Sequence, residues 1–273
     1  MIGVIKKRIS VRTYSGEILD RKEKKRINKA LRINTRGPFG NRVRFRLLDL
    51  SGLEKKELWR LGTYGFIRGT SLFFGGVIRP GPRCMVDYGY CFERTILELT
   101  RLGLGTCWMA LTFNKKGFQE KIGLKGNEIL PAISPIGYPD RKRSLLEKLT
   151  RFMARAGVRK AWAEVFFEGK PDQPLLEKKA GRYRIPLECV RLAPSGINIQ
   201  PWRVIKEVNK PVFHFFARDN AVFLGIKPHS MELGIAMCHF ELACEELRLK
   251  GKWKEIKDVV RPASWDYIIS WAG

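Results

Sequence analysis

Residues 192–204 read Leu-Ala-Pro-Ser-Gly-Ile-Asn-Ile-Gln-Pro-Trp-Arg-Val, a helix stopped on Pro-Ser-Gly and followed by Asn198, Gln200 and Trp202 at every second position. A Pro-Ser-Gly turn exposes Ser195 and Gly196, and side-chain amides on alternate positions of an extended strand point to one side. Such a surface suits a ligand that is flat and polar. Hydrolysis is excluded, because Ser-Gly-Ile-Asn is not the nucleophile elbow and no Asp–His pattern accompanies it. His214, His229 and His239 have no third ligand at metal spacing and read as structural, so no metal site is expected. Nor do Cys84, Cys91, Cys107, Cys189, Cys238 and Cys244 form a CxxC pair or zinc cluster; they sit in apolar surroundings, as small buried thiols do in a reducing, cytoplasmic compartment.

The chain has 273 residues, enough for one large domain or two smaller ones, and its 44% hydrophobic and 29% charged residues describe a globular protein. No apolar run is long enough to span a membrane and the N-terminus lacks the apolar core of a signal peptide. The net charge of +25 is the one extreme value. It is spread over many segments, roughly +18 before residue 150 and roughly +7 after it, and RNP-like aromatics and zinc-finger spacing are missing. This favours a solvated surface with nucleoside-phosphate contacts over nucleic-acid binding.

The elements that carry these residues follow from periodicity. A helix is predicted over 21–33, opened by Asp20 with Glu23 in a capping box and buried through Ile27, Ala30, Leu31 and Ile33. Strands are predicted at 43–48, where Val43, Phe45 and Leu47 alternate with arginines, at 71–78 and at 129–139. The longest helical pattern covers 87–102 and ends on Gly103 as a left-handed cap. Residues 144–170 have basic amphipathic helix character, broken by the Pro-rich run 171–174.

The second half repeats this order: helix 177–192, the quoted loop, strands 202–208 and 211–217, helix 229–247, then Leu-Arg-Leu-Lys-Gly-Lys-Trp at 247–253 where the first half has Leu-Gly-Leu-Gly-Thr-Cys-Trp at 102–108. Two weakly similar repeats, 1–170 and 171–273, are expected to mimic a two-fold dimer within one chain.

Three fragments, Arg-Ile-Ser-Val-Arg-Thr-Tyr at 8–14, the 102–108 stretch with Ile-Gly-Tyr-Pro at 136–139, and the 192–202 loop, together resemble the FMN-dependent nitroreductase family, in its single-chain two-repeat form. The resemblance covers essentially the whole chain. It implies an α+β fold, an α/β/α sandwich of two pseudo-symmetric halves, with a flavin where the halves meet. It further implies that Arg8, Ser10 and Arg12 contact the phosphate and ribityl chain, and that Gly103 and Gly105 let backbone approach the flavin ring. Arg159 and Lys160 match the late basic position that closes on the phosphate, and Ser195, Asn198 and Gln200 contact the flavin from the other half. Arg141 and Arg143 read as solvated. Two arginines on one phosphate contribute about 1.5 to 3 kcal/mol per charge-assisted bond.

Departures from the family pattern matter equally. The first half has Asn-Thr-Arg-Gly-Pro-Phe-Gly where its own Pro-Ser loop should lie, and the second half has no Arg-x-Ser-x-Arg segment, so the parts of one flavin site are expected rather than two. The activity implied is ping-pong hydride transfer from NADH or NADPH to FMN and on to a small acceptor such as a nitroaromatic or quinone. No side chain is required as acid, base or nucleophile, and Arg12 is the cation expected to stabilise the reduced ring. The chain is expected to act as a monomeric pseudo-dimer. The alternative is a non-catalytic flavin- or nucleotide-binding pseudo-dimer.

Overall fold

The computed structural model describes residues 1–61, 66–111, 113–142, 144–153, 155–218 and 229–273. They divide into two compact units, Lys7–Ala154 and Arg155–Gly273, the latter joined by Met1–Lys6. The division falls before the expected break at 170, and the Pro-rich run lies inside the second unit.

Helix α1 (Ile2–Lys7) opens the chain and, but for Lys7, belongs to the second unit; the first helix wholly within the first unit is α2 (Arg21–Ile33). Asp20 Oδ1 accepts the Glu23 N–H at 2.6 Å and Glu23 Oε2 accepts the Asp20 N–H at 2.8 Å, which is the predicted capping box. Ile27, Ala30 and Leu31 are buried, but Ile33 is 64% exposed because the last turn rotates its side chain away from the core. Strand β1 (Val43–Asp49), α3 (Lys55–Arg60), β2 (Leu72–Ile78), α4 (Cys84–Arg101), β3 (Gly105–Thr106), α5 (Lys115–Ile122), β4 (Ile129–Gly137) and α6 (Leu145–Met153) complete it. The strands form an antiparallel sheet in the order β1-β2-β4-β3.

Strand β2 is buried along its whole length, so both faces of this sheet are covered. Phe74 stacks on Phe92 of α4 at 4.7 Å, while Phe73 meets Phe118 of α5 edge-on at 5.4 Å. Adjacent phenylalanines thus point to opposite helices, as the two-residue period of a strand requires. Helix α4 starts three residues before the predicted Asp87, on Arg83 in the left-handed region, and Gly103 (φ 82°) follows its end as predicted.

The second unit contains α7 (Trp162–Val165), β5 (Phe166–Glu168), a 3-10 segment Glu177–Tyr183, α8 (Arg184–Leu192), β6 (Trp202–Lys206), β7 (Val212–Arg218), α9 (His229–Glu246), β8 (Lys252–Lys254) and β9 (Trp265–Ala272). The expected helix after residue 144 therefore ends at Met153. Phe166 and Phe167 instead pair parallel with Val204 and Ile205, because an aromatic run beside an available sheet edge gains more as a strand. The expected helix 177–192 is split at Gly181, whose φ 55°, ψ −133° suits glycine alone. On one face of the sheet Phe240 of α9 packs on Phe213 and Phe215, and on the other Phe216 packs with Phe167 and Val259.

The order β5-β6-β7-β9-β8 repeats β1-β2-β4-β3, with β5 added at the edge. Helices α4 and α9, each of 18 residues, hold the same place between the second and last long strands. The repeat seen in the sequence is thus a repeat of topology. No described helix is long and apolar enough to cross a membrane.

Candidate functional site

In the first unit, the strand-like segment 8–14 lies along β3. Ser10 forms a parallel bridge to Thr106, and the Val11 N–H donates to the Thr106 carbonyl at 2.9 Å. The Tyr14 hydroxyl, donating to the Val11 carbonyl at 2.8 Å, ties the far end of the segment back on itself. Glu147 of α6 accepts the Thr13 hydroxyl at 2.8 Å and the Arg12 N–H at 3.3 Å. The guanidinium of Arg12 makes no ion pair among the described residues. Arg8 Nε lies 3.8 Å from the fully buried Glu93, whose other oxygen accepts Trp108 Nε1 at 2.6 Å, and Nε itself is buried without a hydrogen-bond partner among the described residues.

Cys107 feels these groups together. Burial pushes its thiol up, while Arg12, Arg8 and a hydrogen bond from the Ser10 side chain act in the opposite direction. Arg8, Ser10 and Arg12, at alternate positions of the segment, therefore all act on the Cys107 thiol beside β3. The two glycines there have local explanations: a Cβ on Gly105 would stand 3.0 Å from three side-chain atoms of Val11, whereas Gly103 has open space and needs glycine only for its left-handed φ.

The 192–204 loop of the second unit is not the expected alternating strand. Ile197 (φ 40°), Asn198 (φ 63°) and Gln200 (φ 52°) are left-handed, and β6 begins only at Trp202. Non-glycine residues in this region cost about 1 to 3 kcal/mol each, so the turn persists only because it is tied down. Its ties lead to the segment 155–160. Asn198 Nδ2 donates to the carbonyls of Arg155 at 2.9 Å and Val158 at 2.8 Å, and Asn198 Oδ1 accepts from Arg159 at 3.1 Å. Gln200 Oε1 accepts the Lys160 N–H at 3.0 Å, and Lys160 Nζ donates to the Gln200 carbonyl at 3.2 Å. Ser195 Oγ accepts the Gln200 N–H at 2.9 Å. The structure thus brings Arg159, Lys160, Ser195, Asn198 and Gln200 together, with both amides turned onto backbone rather than aligned on one face.

Cations dominate this region. Arg203, 2% exposed, donates to the carbonyls of Gln200 and Trp202 at 3.1 and 2.6 Å. Burial and the neighbouring Arg218 push its guanidinium down to about 10, and burial with Arg203 pushes Lys160 down to about 8; Glu164 opposes both. Positive charge held this way favours an anion.

Sequence reading missed Arg203, which falls at an ordinary position of a strand. It also missed Glu232, a 4% exposed carboxyl on α9 that accepts the Gly196 N–H at 2.6 Å. Its signal was present: the 102–108 and 247–253 stretches are offset by 247 − 102 = 145, and the same offset carries Asp87 to Glu232, each followed two residues later by glycine. His214 and His239 are structural as read, bonded to Ser270 Oγ at 2.7 Å and the Cys189 carbonyl at 2.9 Å. The side chain of His229 and all of Arg143 lie outside the described residues, and Arg141 is exposed.

A family model described as "Putative TM nitroreductase" matches residues 1–244. The crystal structure of a "putative nitroreductase" from Thermotoga maritima is 17% identical, covering 99% of this chain and 91% of that one with a TM-score of 0.61; it shares the fold. An FMN-dependent nitroreductase from Clostridium difficile is 22% identical over 53% of this chain and 90% of that one, with a TM-score of 0.41. A nitroreductase family protein from Clostridium novyi is 21% identical over 53% and 89%, also at 0.41. No curated protein matches the chain.

Proposed function

The chain belongs to the nitroreductase family, and from that premise we propose that it is an FMN-dependent oxidoreductase that takes a hydride from NADH or NADPH and passes electrons to a small acceptor such as a nitroaromatic or quinone. The observation that carries this reading is cationic charge only partly met by carboxylates, Glu93 standing 3.8 Å from Arg8 Nε. Arg12 has no ion pair among the described residues, and Arg8 keeps a buried Nε without an acceptor. A phosphate dianion binds guanidinium groups that still have N–H donors to give, so the donor set fits FMN.

When bound, FMN supplies hydride acceptance and release. The chain's residues do the holding: Arg8, Arg12 and the Ser10 hydroxyl bind phosphate and ribityl oxygens, and Arg12 opposes the negative charge of the reduced ring. Ser195 supplies a hydroxyl, and Asn198 and Gln200 fix the shape of their turn. Arg159 and Lys160 add positive charge beside that turn. Gly103 and Gly105 are assigned to chain shape in preference to ring approach. All six cysteines are buried and outside any disulfide, which supports a reducing, cytoplasmic setting, and the repeated topology supports a monomer acting as a pseudo-dimer.

Purified protein tests this directly. It should be yellow, or become so with added FMN, and anaerobic NADH or NADPH should bleach it. Protein that binds no FMN refutes the reading. Protein that stays yellow with both nucleotides is instead a non-catalytic flavin holder. Arg12→Ala should weaken FMN binding by about tenfold or more, the scale of one charge-assisted contact.

A further inference from the structure

Both units hold their first loop in the same way. Asp87 is the fourth residue of α4 and Glu232 the fourth of α9. Each carboxyl is buried, and each accepts backbone N–H groups from the loop that enters the first long strand of its repeat. Asp87 uses both oxygens: Oδ1 accepts the Phe39 N–H at 2.9 Å, and Oδ2 accepts the N–H and side-chain amide of Asn41 at 2.8 and 2.9 Å. Glu232 uses one. Oε1 accepts the Gly196 N–H, and Oε2 is buried with no hydrogen-bond partner among the described residues.

The loops differ in the same sense. Around Asp87 the left-handed position is filled by Gly40, at no steric cost. Around Glu232, Ile197, Asn198 and Gln200 are all left-handed without being glycine. Gly196 is the entry to that turn, and a Cβ there would stand 3.2 Å from Glu232 Oε1, so the carboxyl and the glycine are fitted to one another. A relaxed loop in one repeat and a strained one in the other, hung from equivalent carboxyls, means that the strained form is kept for a purpose.

We propose that Glu232 is the positioning residue of the Ser195–Gln200 turn, holding Gly196, and through it the Ser195 hydroxyl, in the arrangement that receives the cofactor. This rests on the FMN reading above. Burial and the Gly196 N–H act on the carboxyl, and no charged side chain among the described residues adds to them.

The test uses the full chain and FMN itself. Glu232→Gln keeps an acceptor oxygen for Gly196, whereas Glu232→Ala does not. FMN affinity, read by quenching of flavin fluorescence, should stay within about threefold of wild type in Glu232→Gln and fall by about tenfold or more in Glu232→Ala. Hydrogen exchange at residues 196–200 should accelerate in Glu232→Ala alone. If Glu232→Ala binds FMN as wild type does, or if exchange there is unchanged, the proposal is overturned while the FMN reading stands. If wild type binds no FMN, both fall. Should Glu232→Ala fail to fold, the wild-type Gly196 amide resonance decides: it must shift as the carboxyl titrates and be still in Glu232→Gln, and a Gly196 amide that does not move with pH overturns the proposal.

Discussion

Glu232→Gln removes a carboxyl that burial pushes up to about 7 from an ordinary value of 4.5. A folded-state value above the unfolded one means that the folded protein holds the proton more tightly. The stability from this group is therefore complete below about pH 4.5 and lost as pH rises through about 7. A displacement of roughly 2.5 units, at about 1.4 kcal/mol per unit, sets the loss at about 3 kcal/mol. Glutamine does not titrate, and its amide oxygen can still accept the Gly196 N–H that Glu232 receives at 2.6 Å. The glutamine NH2 inherits the partnerless place of Oε2, which offsets the variant by a constant amount at every pH. Urea unfolding of both proteins from pH 4.5 to 8.5 therefore gives a difference curve from which every other titrating group cancels. The variant should gain about 3 kcal/mol on wild type across that range, most of it between pH 5 and 7. Parallel curves, whatever their vertical separation, would refute the burial argument.

Gly105→Ala should destabilise the first unit by about 1 to 3 kcal/mol in urea, since the new methyl meets Val11 at 3.0 Å and overpacks that contact. Asn198→Ala removes the side-chain bonds to Arg155, Val158 and Arg159, so it should cost about 1 to 3 kcal/mol and open residues 155–160 to limited proteolysis. Asp49 is held down to about 2 by hydrogen bonds from Lys24 and Ser51. Its contribution is present above about pH 3.8 and lost as pH falls toward 2, so Asp49→Asn should lower Tm slightly at pH 7 and not at pH 2, a small effect because both side chains are partly exposed.

What the sequence disclosed was local or periodic. Asp20 and Glu23 stand three residues apart, and a capping box depends on nothing more distant. The buried stripe of α2 was read correctly until Ile33, where the helix ends and the periodic rule loses its partner surface. Strand β5 was hidden because Phe166 and Phe167 become a strand only by pairing with residues nearly forty positions later. The 195–200 turn misled for a similar reason. Alternating Asn198, Gln200 and Trp202 satisfy the pattern of a strand, but the carbonyls of Arg155 and Val158 draw Asn198 aside. The residue types at that site were legible, and their orientation was not.

The two repeats then separate architecture from function. Their sheets share one order, their long helices share one length, and a carboxyl at the same helix position holds the same loop in each. Whatever folding requires of that loop, the first unit meets it with Gly40 and with Asn41 filling the second oxygen of Asp87. The second unit shows another, with three non-glycine residues left-handed, a carboxylate oxygen without a hydrogen-bond partner among the described residues, and Lys160 and Arg203 under the repulsion of Arg218. Strain, an unsatisfied buried oxygen and like-charge repulsion all oppose folding, and folding alone gives no reason to gather them at one turn. A bound anion would relieve the repulsion and reward the turn's shape, which is why the loop at 195–200, and not its relaxed counterpart at 34–42, is where ligand binding should be sought.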